Sequence, residues 1–162
     1  MEEWSVSPFA KETVTVYLAG EIKTNWRDAI IDGVKVLGLP VKFSTAQQHH
    51  ESSDKCGTRI LGHEEKRFWE DRKSQGLNSM RNKMLIKDCD ILVARFVDRE
   101  TFPQWEVAFE AGYAAALGKP IIIMHPSEYD HMLKEPDAYA QAVANTPEQV
   151  VAILRYVLKG EL

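Results

Sequence analysis

A chain of 162 residues, 44% apolar and 27% charged, has the make-up of an ordinary globular domain and is long enough to bury roughly 70% of the surface its extended form exposes. A net charge of −4 gives no basic footprint for polymeric nucleic acid, and no apolar run approaches the roughly 20 residues that a membrane-spanning helix needs. The opening MEEWSVSPFAKE lacks the pattern of a signal peptide, and Cys56 and Cys89 show neither metal spacing nor a disulfide framework, so a reducing cytoplasm is the expected setting.

Residues 1–12 read as a loose leader to a single domain. TVTVYLAG, ending at Gly20, is β-branched and reads as a strand. Asn25 is placed to cap the next helix, with Asp28 as its capping-box partner. Trp26, Ala29, Ile30, Gly33, Val34 and Leu37 fall at helical spacing and form one apolar stripe. Gly38-Leu39-Pro40 ends that helix, and VKFST is a second strand. From Ala46 to about Gln75 the periodicity dissolves into a long polar segment, where Gly62 to Lys73 reads as a charged helix. A segment of that length inside a compact domain is usually functional.

Asn78 or Ser79 is placed to cap a helix over Met80 to Lys87. DILVARF is a nearly continuous apolar run, typical of a strand buried on both faces, and Cys89 beside it reads as a small core residue. VDRETFP leads to a helix over Gln104 to Leu117, stopped by Gly118 with Pro120 beyond. PIIIMH is another buried strand, and Ala138 to Ala144 reads as a short one. Thr146-Pro147-Glu148-Gln149 starts the last helix, with a cap, a proline at the first position and a glutamine closing the box.

Strands that alternate with helices predict right-handed crossovers and a mainly parallel sheet of about five strands, covered on both faces. Ligands in such folds sit beyond the carboxyl ends of the strands. That rule selects Gly20 to Arg27, Thr45 to Asp54, Phe96 to Gln104 and His125 to Ser127. Gly20 permits close backbone approach to a ligand, but GxGxxG and P-loop patterns are absent from the sequence, which disfavours a dinucleotide or triphosphate cradle. Glu21, Asn25 and Arg27 are either a turn and a cap or ligand contacts. HHESSD, from His49 to Asp54, reads as a polar loop rather than a metal site, with His50 and Asp54 able to bind a polar substrate. Arg81 and Asn82 form either a phosphate or carboxylate contact or a solvated helix end.

The segment PQWEVAFEAGYAAALGKP carries Glu106 and Glu110 one turn apart, where like charges cost roughly 0.2–0.5 kcal/mol. On a solvated face the pair is inconsequential. Turned toward the sheet edge and partly desolvated, Glu110 is suited to act as a nucleophile or general acid. No Ser-His-Asp or Cys-His constellation competes for the role.

VYLAGEI with NWR, then HESSD, DILVARF and WEVAFEAGYAAALGKPIII together resemble the YtoQ family. That family is related to the nucleoside 2-deoxyribosyltransferases and the deoxynucleotide N-hydrolases. The likeness runs from about Val14 to Leu158. It implies a flavodoxin-like sheet, assembly as dimers or larger homo-oligomers, a small-molecule nucleoside or nucleotide as partner, and no metal or organic cofactor. It also implies that Glu110 attacks an anomeric carbon to give a covalent glycosyl-enzyme, with Tyr17 contacting nucleophile and sugar. Where transferases of this kind place an aspartate six residues before the nucleophile, this chain has Gln104, and a second aspartate aligns with Asn82. Amides still hydrogen bond but carry neither charge nor an exchangeable acid proton. Arg27 and Arg81 suit a phosphorylated or anionic substrate. The departures keep a non-catalytic nucleotide- or nucleotide-sugar-binding protein using the same pocket open as the alternative, and a structural oligomer with both glutamates on its surface as a third reading.

Overall fold

The computed structural model describes residues 11–97 and 104–162. Most of the leader and of the VDRETFP loop lie outside the described residues. The elements run β1 (Val14–Ala19), α1 (Trp26–Val36), β2 (Val41–Thr45), α2 (His50–Leu61), α3 (Arg67–Asp88), β3 (Ile91–Arg95), α4 (Trp105–Ala116), β4 (Ile121–Met124), α5 (Lys134–Asp137), β5 (Ala142–Ala144) and α6 (Pro147–Lys159). All strand pairs are parallel, in the order β2-β1-β3-β4-β5. That is the flavodoxin-like, doubly wound order, whose crevice opens at the switch point between β1 and β3.

Alternation along each strand divides the core into two halves. Val14, Val16 and Leu18 of β1 face α1 and α6, with Val93 and Met124 beside them. Tyr17 and Ala19 face the other way, toward α3 and α4, with Leu92, Ala94 and Ile123. α1 approaches α6 closely because Gly33 has no side chain: a Cβ there would lie 2.8 Å from Val151 Cγ2.

Several expectations need correction. Asn25 does stand before α1, but its side chain makes no capping bond. The segment from Ala46 to Gln75 is mostly helical: α2 occupies residues 50–61, and α3 begins at Arg67 rather than Met80 and runs unbroken through Asn78 and Ser79. The hydrophobic signal failed because this helix pair is joined by polar groups. Ser74 is fully buried; its hydroxyl donates to Asp54 O at 2.6 Å and accepts from the Gly57 N–H at 3.1 Å. Asn78 Nδ2 donates to Ser53 O and Oγ at 2.9 and 3.0 Å. Any Cβ at Gly57 would collide with the Ser74 backbone nitrogen, so glycine there sets how closely the two helices cross. The strand expected over Ala138 to Ala144 shrinks to Ala142–Ala144. Thr146 caps α6 as expected, accepting from Gln149 N, but Gln149 Oε1 reaches back to Asn145 N instead of Thr146 N.

Candidate active site

A cleft of about 370 Å³ opens at the carboxyl ends of β1 and β3. The loop after β1 (Gly20 to Lys23), the first turns of α2 (His50, Ser53, Asp54), the middle of α3 (Gln75, Asn78, Asn82) and the start of α4 (Gln104 to Val107, Glu110) line it.

Glu110 is brought there by helical spacing. α4 buries Val107, Ala111 and Ala114 against the sheet. Glu110 lies three residues after Val107 and four before Ala114, so it shares that inward stripe. Glu106 falls one residue outside it and is exposed. Below Glu110 stands Tyr17, fully buried on the same face of β1. The Tyr17 hydroxyl donates to Glu110 Oε1 at 3.0 Å, and Asn82 Nδ2 donates to the same oxygen at 3.1 Å. Among the described residues the second oxygen accepts no hydrogen bond. Burial pushes the Glu110 carboxyl up to about 7; Tyr17 opposes this, the negative charge of Glu106 adds to it, and Arg27 and Asn82 moderate it. Near neutral pH the group therefore passes between its acid and carboxylate forms. Burial and the neighbouring Glu110 both hold the Tyr17 phenol well above its usual value, so it remains a donor.

Two amides border the same cleft, and Asn82 alone bonds the carboxylate. Gln104, preceding α4, accepts from the Val97 N–H at 3.1 Å and so ties the helix start to the tip of β3. Its Nε2, like Asn82 Oδ1, is buried and has no hydrogen-bond partner among the described residues.

The β1 loop is held from beneath. Arg27 is buried; its Nε donates to Thr45 Oγ1, its Nη2 to Gly20 O at 2.8 Å and its Nη1 to Glu21 O. Trp26 lies under Gly20, where a Cβ would come 2.6 Å from the indole, and Arg27 Cζ sits 4.5 Å from the Trp26 ring centroid. Glu21 accepts from Arg95 Nη1 at 2.6 Å, from the N–H groups of Lys23 and Thr24, and from the Thr24 hydroxyl. Burial alone would raise its carboxyl, but these donors outweigh it and hold Glu21 below its ordinary value.

The family model for nucleoside 2-deoxyribosyltransferase YtoQ matches residues 17–158. The chain belongs to the YtoQ family. It is 37% identical over 146 residues to the uncharacterized protein YtoQ of Bacillus subtilis (strain 168), an alignment covering 90% of this chain and 97% of that protein. The solved structure of Clostridium botulinum CMP N-glycosidase BcmB covers 89% of this chain and 99% of its own, at 16% identity and a TM-score of 0.49.

In this YtoQ-family chain, Gly20, Glu21, His50, Asp54, Asn82, Gln104 and Glu110 converge on one cleft, with Tyr17 directly behind Glu110. His50 Nδ1 and Asp54 Oδ2 pair at 3.2 Å on its rim, both exposed. Three residues singled out from the sequence do not line it. Asn25 is exposed at the head of α1, Arg27 supports the loop, and Arg81 donates to Thr45 O at 3.0 Å, tying α3 to β2. Sequence reasoning missed Ser53, Gln75 and Asn78. For Asn78 a signal existed: Ser74, Asn78 and Asn82 recur every four residues, tracing a polar seam that leads to Glu110. Among the described residues no group of three or more His, Cys, Asp or Glu could hold a metal, and no helix is long and apolar enough to cross a membrane.

Proposed function

We propose that this protein cleaves or transfers at the N-glycosidic bond of a nucleoside or nucleotide, with Glu110 as the nucleophile. The observation that carries the reading is the Glu110 carboxylate in the cleft, fixed through one oxygen by Tyr17 and Asn82, with no hydrogen bond to the other among the described residues. A displacement through an oxocarbenium-like centre needs one positioned carboxylate on the face opposite the leaving base. Attack by Glu110 forms a C–O ester bond at the anomeric carbon as the C–N bond breaks, its electron pair leaving with the base. Water or a second base then displaces the ester. Tyr17 holds the attacking group in place, and its hydrogen bond strengthens as charge returns to the carboxylate.

In this scheme Gly20 and the Glu21 main chain meet the ligand at the tip of β1. Asn82 and Gln104 hydrogen bond the sugar, and His50 and Asp54 reach its outer end from α2. Asn25, Arg27 and Arg81 hold the walls. The engagement of Arg27 and Arg81 with main-chain carbonyls and Thr45 removes the charge argument for a phosphate, so both nucleosides and nucleotides stay in the proposal. Trp105, at the cleft, and Phe109, 80% and 79% exposed on α4, favour assembly of further copies of the chain, which sedimentation at several concentrations tests.

Incubation with a panel of ribo- and 2-deoxyribonucleosides and their 5′-monophosphates, followed by chromatography for free base, tests the activity. Release of base in wild type and its loss in Glu110→Ala supports it. The two amides standing where carboxylates were expected favour a second reading, a nucleotide-binding protein. Saturable binding with no base released from any compound selects that reading.

A further inference from the structure

The two side chains that donate to Glu110 are neutral, and two polar atoms of the amides that border its cleft have no partner among the described residues. Asn82 Nδ2 is fixed on Glu110 Oε1, so Oδ1, the other end of the same planar amide, points a lone acceptor away from the carboxylate. Gln104 is fixed the other way round: its Oε1 is held by Val97 N–H, and its Nε2 is left as a lone donor. A buried donor or acceptor without a partner is costly and calls for an explanation. Among the described residues, one acceptor and one donor are thus orphaned on two residues that both border the cleft, Asn82 of α3 and Gln104 just before α4.

A group that satisfies both must donate and accept at once, which is what a hydroxyl does and a C–H cannot. Where it would sit follows from the proposed attack by Glu110, on which this inference rests. With the anomeric carbon against the nucleophile, the substituent on the adjacent sugar carbon comes closest to the Asn82 amide. Carboxylates in the two amide positions could also accept from such a hydroxyl, but they would crowd negative charge around Glu110 and raise its pKa further. The amides recognise the same group without that charge. Both orphan atoms are closed off from solvent, so a hydroxyl reaches them only as the amide heads turn. Those rotations are about terminal torsions, which are broad and soft.

We infer that Asn82 and Gln104 select a glycosyl group that keeps the hydroxyl next to its anomeric carbon: the ligand is a ribosyl rather than a 2-deoxyribosyl compound. A site built to hydrogen bond a hydroxyl discriminates strongly against the analogue that lacks it, because its own polar atoms are then left unpaired.

The test is calorimetric titration of Glu110→Ala, which binds without turnover, against matched pairs of ribo- and 2-deoxyribonucleosides and their 5′-monophosphates. The ribo member of at least one pair binds about tenfold tighter or more. That ratio collapses toward one when Asn82→Leu or Gln104→Leu is added, with far-ultraviolet dichroism and thermal unfolding showing that the variants still fold. Equal or tighter binding of the 2-deoxy member, a ratio unmoved by both amide variants, or no binding of any member at millimolar concentration overturns the inference. Its failure is separable from that of the glycosidic reading. Base release from 2-deoxy compounds alone sinks the hydroxyl selection and leaves the cleavage. A ribo preference without base release from any compound in wild type does the reverse.

Discussion

Glu21 and Glu110 border the same cleft, one at the tip of β1 and the other on the inward stripe of α4, and their oxygens meet different company. Glu21 accepts from Arg95, from the Thr24 hydroxyl and from two backbone N–H groups, and its acidity is increased. Glu110 accepts two neutral donors on one oxygen, sits in a more apolar setting, and is raised to about 7. Two carboxylates whose environments drive them apart in this way have different roles. Glu21 is a clamp that shapes the loop. In the proposed reaction Glu110 supplies the reactivity that the clamp has given up.

The contrast breaks most visibly at Glu110 itself. Glu110→Gln is expected to lower the rate of base release by roughly a thousandfold or more while the fold persists, checked by chromatography and circular dichroism. Stability should respond to pH through the same group. Its folded-state pKa lies above the unfolded value near 4.5, so its contribution is complete below about pH 4.5 and is lost as pH rises through about 7. The loss is on the order of 1–3 kcal/mol, and Glu110→Gln should flatten that part of a pH series of denaturant melts. Glu21 works in the other direction: its lowered pKa stabilises the fold above the ordinary carboxylate range and is lost on further acidification.

Tyr17→Phe should come next, lowering turnover by about 100-fold through misplacement of the carboxylate. It also removes a donor that restrains the Glu110 pKa, so the acidic limb of kcat/KM moves to higher pH. Glu106→Gln sharpens the comparison with a smaller effect of opposite sign. Loss of its charge lowers the Glu110 pKa and moves the same limb to lower pH. Glu21→Gln closes the series. It should cost about 1–3 kcal/mol of unfolding free energy by removing the charged partner of Arg95, with kcat/KM changed far less. A Glu21→Gln protein of normal stability and no activity would reverse the assignment of the two carboxylates.

The sheet was legible because its central strands are nearly continuous apolar runs, as in DILVARF and PIIIMH, whereas β5, short and flanked by polar residues, was read too long. Glu110 was singled out by the family resemblance; spacing alone put Glu106 and Glu110 one turn apart and left both readings open, and only the burial of Val107, Ala111 and Ala114 separates them. The α2–α3 pair was not, because Gly57, Ser74 and Asn78 hold it together through backbone approach and hydrogen bonds, which leave no apolar period. Arg27 misled for a related reason. An arginine beside a strand tip looks the same in sequence whether its guanidinium meets a ligand or the carbonyls of its own loop.

The most direct test of Glu110 as a glycosyl nucleophile is mass spectrometry of wild-type protein quenched by acid within milliseconds to seconds of mixing with the nucleoside and nucleotide panel. A glycosyl adduct on the α4 peptide, mapped to Glu110 and absent from Glu110→Gln, is the predicted result. Base release at full rate by Glu110→Gln, or an adduct on another residue, would contradict it.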